Sequence, residues 1–177
     1  FGLNNPSGKL PFTYPKYQGL NITYDHKHTE KTNRFLGQTS SLSDYDAKFK
    51  GTVYQWNFGY GLSYSSFEYS ELKLDKKSYA KSDTIKIEVT LTNNSDIEGS
   101  EVVQAFCSDL VASITPSVKR LRSFKKIKLK PNENKRVKLN IPVKELAFVG
   151  IENKWIVESG DFTLSVGDLK TNFSVNE

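Results

Sequence analysis

Apolar and polar residues alternate in short runs from residue 67 to residue 177. The clearest run is residues 84–92, where charged or hydroxyl side chains fill one face and the other face carries Ile85, Ile87, Val89 and Leu91. The same alternation recurs in three shorter runs: Val137, Leu139 and Ile141; Phe162, Leu164 and Val166; and Phe173 and Val175. A period of two residues is that of a strand with one buried face, so each run predicts a β-strand.

Turn-forming residues separate these runs, at residues 93–96, 131–134 and 159–160. No segment in this part of the sequence keeps a helical period over three turns. Short strands at regular spacing, joined by such turns, are typical of two packed antiparallel sheets. The pattern therefore predicts an all-β fold, with about seven strands in an immunoglobulin-like or fibronectin type III-like two-sheet sandwich.

Residues 1–57 have a different composition: they are rich in Gly, Pro, Asn, Ser and Thr and contain few apolar residues. Residues 10–15 could form one extended segment, and their two prolines would confine it to the edge or end of a sheet. Compact domains seldom contain so long an irregular segment unless it is a functional loop or packs over another domain. We therefore expect this part to be mostly irregular and not to fold alone.

An aromatic cluster lies between these two parts of the chain. Seven aromatic residues fall within residues 54–69: Tyr54, Trp56, Phe58, Tyr60, Tyr64, Phe67 and Tyr69. Such rings could stack on sugars, or they could bury apolar surface between domains while their hydroxyl or N–H groups stay in contact with solvent. The second interpretation is favoured because the cluster lies where a linker would cross between two domains. We call Tyr54, Trp56, Phe58, Tyr60, Tyr64 and Phe67 the predicted aromatic seam.

Composition narrows the function classes. The chain has 177 residues, a net charge of +5 and one cysteine, Cys107, which excludes an internal disulfide framework or a zinc knuckle. Its longest apolar run, residues 146–151, is far shorter than the roughly 18 residues of a membrane span, so we expect no membrane interaction. The sequence starts at Phe1 and contains no Met and no secretory signal, so we expect a piece of a longer product.

The positive charge is concentrated in residues 119–138, which hold ten Lys or Arg against one Glu. A nucleic-acid binder would carry such a stripe together with base-stacking aromatics, yet only Phe124 intervenes. The charges alternate instead with apolar residues, as on the solvent faces of two strands, where lysine also discourages aggregation. We therefore predict solvated strands and no nucleic-acid partner.

Asp25, His26, Lys27 and His28 place a carboxylate beside two imidazoles. The two histidines would share one side of an extended segment, but a third metal ligand is needed and only Glu30 follows. We predict no metal site and no cofactor; a loop that touches a substrate and a plain exposed turn both remain possible. Asp44 and Asp46 could pair as hydrolytic carboxylates, but their Ser-rich surroundings offer nothing to raise either pKa.

Several strings resemble the carboxyl-terminal end of glycoside hydrolase family 3 enzymes, the β-glucosidase family. Residues 5–15 (NPSGKLPFTYP) resemble the stretch that closes the family's α/β sandwich domain, and residues 58–70 (FGYGLSYSSFEYS) resemble the signature leading into its fibronectin type III-like domain. Four further strings follow the pattern of that domain in order, at residues 99–104, 124–131, 146–148 and 155–162. Ser123 and Ser159 stand where Gly and Pro are commoner.

The resemblance implies two parts: residues 1–57, the tail of an α/β sandwich domain with a linker loop, and residues 58–177, the fibronectin type III-like domain. In this family the nucleophilic Asp lies on an amino-terminal barrel and the acid/base Glu precedes the Pro-Ser-Gly stretch. Neither region is in these residues, so no catalytic residue is predicted here. The intact enzyme is expected to hydrolyse terminal β-linked glucosyl residues with retention.

The role implied for this chain is scaffolding of the upstream catalytic domains, and by itself the chain is expected to be inactive. Asp25, His26 and Lys27 correspond to an Asn-His-Lys-like stretch of bacterial members and are weak candidates for contact with the substrate. The resemblance favours a periplasmic or extracellular location. A carbohydrate-binding module and an interaction module remain the alternative functions.

Overall fold

The computed structural model describes residues 2–16, 23–25 and 54–177. In these ranges it contains the following strands and one short 3-10 helix: β1 Tyr14–Pro15, β2 Tyr54–Trp56, β3 Phe67–Leu74, β4 Ser78–Ala80, β5 Thr84–Asn93, β6 Gly99–Asp109, β7 Arg120–Leu129, β8 Asn134–Pro142, the helix Val143–Leu146, β9 Phe148–Val149, β10 Trp155–Ile156, β11 Gly160–Val166 and β12 Leu169–Asn176. The chain divides into two compact units, residues 1–8 with 61–177, and residues 9–60.

The larger unit is a two-sheet sandwich. One sheet has five strands in the order β4-β12-β11-β6-β7, and the other has three in the order β3-β5-β8. Neighbouring strands are antiparallel, except that the short β4 runs parallel to β12. A separate hairpin, β9 with β10, follows the short helix. The all-β sandwich predicted from the alternation is therefore confirmed.

The core lies between the two sheets, and its residues are those that the alternation predicts. Ile85, Ile87, Val89 and Leu91 of β5 are all 0% exposed. Opposite them, the five-stranded sheet contributes the inward residues of β11 and β12: Phe162, Leu164, Val166, Phe173 and Val175. Burial of this apolar surface is the main favourable term in folding the sandwich.

Asn93 is the buried polar residue that joins two turns at one end of the sandwich. Its side chain is 0% exposed. Its Nδ2 donates to the carbonyl oxygens of Ile97 at 2.8 Å and Lys130 at 3.0 Å, and its Oδ1 accepts from the amide of Ser95 at 3.1 Å. A buried amide is tolerated when its donors and acceptors are satisfied, so Asn93 fixes both turns to the end of β5.

The basic residues of residues 119–138 lie mostly on the outer faces of β7 and β8. Lys126, Lys128 and Lys130 are exposed, while Ile127 and Leu129 between them are buried. β8 repeats the arrangement, with Lys138 exposed between inward-facing apolar residues. The alternation of charge with apolar residues therefore arises from strand geometry. In the ranges that the structure describes, no helix has both the length and the apolar character to cross a bilayer.

Candidate functional site

In the described part of the smaller unit, β1 and β2 form a two-stranded antiparallel pairing. Tyr14 lies opposite Trp56 and Pro15 lies opposite Tyr54, with a shift in register between the two pairs. Two backbone hydrogen bonds extend the pairing: the Leu10 amide donates to the Tyr60 carbonyl at 2.8 Å, and the Gly59 amide donates to the Leu10 carbonyl at 2.9 Å. Gly59 has φ +79°, a conformation that favours glycine, so the chain can turn here.

Four aromatic rings of this pairing touch in sequence, and we call Phe12, Tyr14, Trp56 and Tyr60 the aromatic ladder. Ring centroids are 6.0 Å apart for Phe12 and Tyr14 and 5.0 Å apart for Tyr14 and Trp56. Trp56 and Tyr60 stack with centroids 6.2 Å apart. The four side chains remain 50%, 43%, 38% and 41% exposed in chain order. Large rings held in mutual contact but still open to solvent can pack against a flat apolar surface, either a protein face or a sugar ring.

A second aromatic contact lies next to the residues predicted to approach a substrate. Tyr24 and Phe58 stack with ring centroids 4.2 Å apart, and both are half-buried. Beside Tyr24, the Asp25 carboxylate accepts a hydrogen bond from the Thr23 hydroxyl. His26 and Lys27 lie outside the described residues, as do His28, Asp44 and Asp46. The structure therefore places Asp25 beside an aromatic stack and leaves the rest of that candidate set as a prediction.

The structure places the members of the predicted aromatic seam in different settings. Trp56, Phe58 and Tyr60 belong to the smaller unit, and the backbone of Tyr54 pairs with Pro15 there. In the larger unit, Phe67 packs against the sandwich core, and Tyr64 is 61% exposed. The seam as a contact surface between domains stays a prediction.

Tyr69, the last ring of the sequence cluster, has a role inside the sandwich. Its hydroxyl donates to Oε1 of the buried Glu101 at 3.0 Å. Burial, with the adjacent Glu101 carboxylate, raises the pKa of Tyr69. The ring also lies against Gly167, where a Cβ would come within 2.9 Å of it. Tyr69 is therefore a packing residue whose hydroxyl satisfies a buried carboxylate.

Sequence reasoning missed two members of the aromatic ladder, Phe12 and Tyr14. Their signal was visible as the alternation of residues 10–15, in which residues 10, 12 and 14 share one side of an extended segment. What the sequence could not show is that β1 pairs with β2, about 40 residues later, and so brings these rings beside Trp56.

Asn5 is a second residue that the sequence analysis did not single out. Its Nδ2 donates to the Ser65 hydroxyl at 2.7 Å and to the Glu98 carbonyl at 2.9 Å. Its Oδ1 accepts from the Ser63 hydroxyl and from the Tyr64 amide, both at 2.9 Å. These four bonds tie the first residues of the chain to two loops of the sandwich, in agreement with the grouping of residues 1–8 with 61–177.

Among the described residues, no group of three or more His, Cys, Asp or Glu side chains is arranged to hold a metal ion. The described residues of the smaller unit offer apolar contact through aromatic rings.

Comparison with known proteins shows which proteins this chain is similar to. A model described as a fibronectin type III-like domain matches residues 101–170. The chain is 34% identical over 174 residues to a putative beta-xylosidase of Formosa agariphila, which covers 98% of this chain and 21% of that protein. It is 35% identical to the periplasmic beta-glucosidase of Salmonella typhimurium, over 94% of this chain and 22% of that protein. The chain thus spans about a fifth of the length of these relatives.

Solved structures agree with the sequence relatives. The beta-glucosidase of Listeria innocua in complex with gluconolactone matches 99% of this chain and 25% of its own, with a TM-score of 0.83 and 30% identity. A beta-glucosidase involved in saponin metabolism, from intestinal bacteria, matches 99% of this chain and 23% of its own, with a TM-score of 0.83 and 32% identity. Sequence and fold together place the chain in glycoside hydrolase family 3, as the counterpart of the carboxyl-terminal part of β-glucosidase-like enzymes that includes the fibronectin type III-like domain.

Proposed function

We propose that this chain is the scaffolding part of a retaining β-glucosidase-like glycoside hydrolase and does not itself carry the catalytic carboxylates. Its partners are the catalytic domains of the same protein, and the intact enzyme hydrolyses terminal β-linked glucosyl residues. Residues 1–57 would then belong to the tail of an α/β sandwich domain with its linker, and residues 58–177 to the fibronectin type III-like domain. A periplasmic or extracellular location fits this proposal.

The aromatic ladder is the observation that carries the proposal. Phe12, Tyr14, Trp56 and Tyr60 are each between 38% and 50% exposed while touching one another. Leaving four adjacent large rings in water forfeits apolar burial, and covering them with another protein face would recover it. The relatives are four to five times longer than this chain, so such a face is available in proteins of this family.

Activity measurements test the catalytic part of the proposal. The 177-residue chain, purified alone, should release no product from an aryl β-glucoside, and the intact parent enzyme assayed in parallel should release it. Turnover that copurifies with the isolated chain would contradict the assignment of the catalytic carboxylates to other regions.

A binding measurement tests the scaffolding part. Trp56→Ala should weaken association of this chain with the separately produced catalytic domains by about 30-fold, since truncating a well-packed interface tryptophan costs about 2 kcal/mol. Trp155→Ala is the matched control, because Trp155 is 70% exposed on the β9–β10 hairpin of the other unit. Equal affinity for the wild type and the Trp56 variant would remove the ladder from the proposed interface.

The alternative function is a carbohydrate-binding module, which the same ladder favours because aromatic faces also stack on sugar rings. The chain has two tryptophans, so a Trp155→Phe background leaves the fluorescence of Trp56 alone. If the ladder serves as a protein interface, titration of that variant with cello-oligosaccharides should give no saturable change in fluorescence. A saturable change in the fluorescence of Trp56 would favour the binding module over the scaffold.

Asp25, His26 and Lys27 are proposed as residues that approach the substrate in the intact enzyme. The position of Asp25 beside the Tyr24–Phe58 stack supports this assignment. His26→Ala in the intact enzyme should raise KM for the glucoside with a smaller effect on kcat, because a residue that only contacts substrate contributes to uniform binding. An unchanged KM in that variant would remove His26 from the substrate site.

A further inference from the structure

A partly open cavity of about 180 Å³ lies at one end of the sandwich, between the ends of β6, β7 and β11 and the segment that follows the short helix. Its lining includes the side chains of Cys107, Asp109, Arg120, Arg122 and Phe162. Two residues of the loop between β6 and β7 that carry hydroxyl groups, Thr115 and Ser117, also line it. A cavity of this volume has room for a small ion.

The arginines occupy positions where the strand pattern of a sandwich calls for apolar side chains. Arg120 lies opposite Cys107 in the β6–β7 pairing, and Cys107 is a buried core residue, so both lie on the inner face of the sheet. The register shifts at Ala105/Phe106, which leaves Arg122 as an extra residue on β7. Bulges re-aim side chains, and this bulge accompanies the presence of both arginines in the lining.

The charge of the lining is positive. Its ionisable side chains, apart from the Cys107 thiol, are Arg120, Arg122 and Asp109, so the formal sum is two positive charges against one negative. Burial raises the pKa of Asp109, the Val111 amide opposes this, and the nearby Glu158 charge adds to the rise. Burial also raises the pKa of the Cys107 thiol to about 12, although Arg122 acts in the opposite direction. The thiol is therefore neutral at pH 7 and adds no negative charge.

The residues that line this small volume include two arginines and two residues with hydroxyl groups, together with apolar residues. Guanidinium is a planar donor fork that matches carboxylate and phosphate oxygens, and hydroxyl groups supply further donors. The net positive charge of the lining and its two guanidinium groups favour an anionic ligand. We propose that this cavity binds a small oxyanion, either phosphate or the carboxylate of an organic acid.

Thermal unfolding with inorganic phosphate, acetate and sodium chloride at equal ionic strength tests the site. Phosphate stabilises many proteins by exclusion from their surface, so the readout is the difference between variants. Lys126→Gln removes an exposed charge from the same strand and is the matched control. We expect the anion to raise the unfolding midpoint of the wild type and the Lys126 variant by more than chloride does. This excess should be lost in Arg120→Gln and Arg122→Gln. An equal excess in all four proteins overturns the site, and the anion with the larger specific excess identifies the source of the oxyanion.

Alkylation of Cys107 provides a second readout that needs no variant to fold. Cys107 is the one cysteine of the sequence and lines the cavity, so neutral iodoacetamide reports on access to it. At an anion concentration ten times its Kd, the alkylation rate should fall about tenfold, because the cavity is then about nine-tenths occupied. A rate unchanged by both phosphate and acetate, relative to chloride at equal ionic strength, overturns the proposal.

Discussion

Replacing Asn93 with Asp keeps the shape of a fully buried side chain and changes only its hydrogen-bonding chemistry. In the wild type, Nδ2 supplies the donors for the carbonyl oxygens of Ile97 and Lys130, at 2.8 and 3.0 Å. A carboxylate has no donor to offer, so in the variant these two carbonyls would face a negative charge. The turns that Asn93 holds at the end of β5 would then lose their common anchor.

The magnitude follows from these two contacts. Each carbonyl keeps a second donor, the Ser65 hydroxyl for Ile97 and the Glu133 amide for Lys130, both at 3.2 Å. The cost is therefore that of two lost hydrogen bonds at about 0.5–1.5 kcal/mol each, or about 1–3 kcal/mol together. This is a large part of the 5–15 kcal/mol that typically separates folded from unfolded domains. At a slope of about 2 kcal/mol per molar urea, the unfolding midpoint should fall by about 0.5–1.5 M.

The assay is urea unfolding at pH 7 and again near pH 4. Burial raises the pKa of the new carboxyl in the folded state above its unfolded value, so its charge destabilises the fold at higher pH, and this part of the loss is relieved as pH falls through the folded pKa. Asn140→Asp, an exposed position on β8, is the control and should change the midpoint little at either pH. An Asn93→Asp midpoint equal to that of the control at pH 7 would refute the reasoning.

Two further predictions concern close packing and a buried hydroxyl. Gly99→Ala should lower the free energy of unfolding by about 1–3 kcal/mol in urea titration, because the added Cβ would lie 2.9 Å from Cζ of Phe67. Gly8→Ala, with nothing within 4 Å, should be close to neutral, and equal losses would contradict the contact. Burial by itself raises the pKa of Asp75, but hydrogen bonds from the Tyr79 hydroxyl and a backbone amide hold it below its usual range. Tyr79→Phe should therefore destabilise the fold most above the unfolded-state pKa of Asp75. Its deficit in melting temperature relative to the wild type should shrink as pH falls through the folded-state pKa. A deficit that does not depend on pH would contradict this.

The two candidate sites differ in how far sequence reasoning reached them. Trp56 and Tyr60 were visible as members of an aromatic cluster, because their residue type and density are local properties. Phe12 and Tyr14 join them only through pairing of β1 with β2, which depends on contacts between distant residues. Arg120 and Arg122 were assigned to the solvent faces of strands, since a run of basic residues on a strand is usually exposed. The structure places both in the lining of a cavity, because Arg120 shares the inner face with Cys107 and a bulge adds Arg122.

The pattern of apolar and polar residues is enough to predict the class of fold and the residues of the core. Alternation with period two assigned Ile85, Ile87, Val89 and Leu91 to one face, and all four are buried, because that period follows from the geometry of a single strand. Three features emerge only from the folded chain: the order of strands in the two sheets, the anchoring role of Asn93 and the cavity at the end of β6. These features depend on which distant segments meet, and loop lengths and residue types along one chain do not specify that.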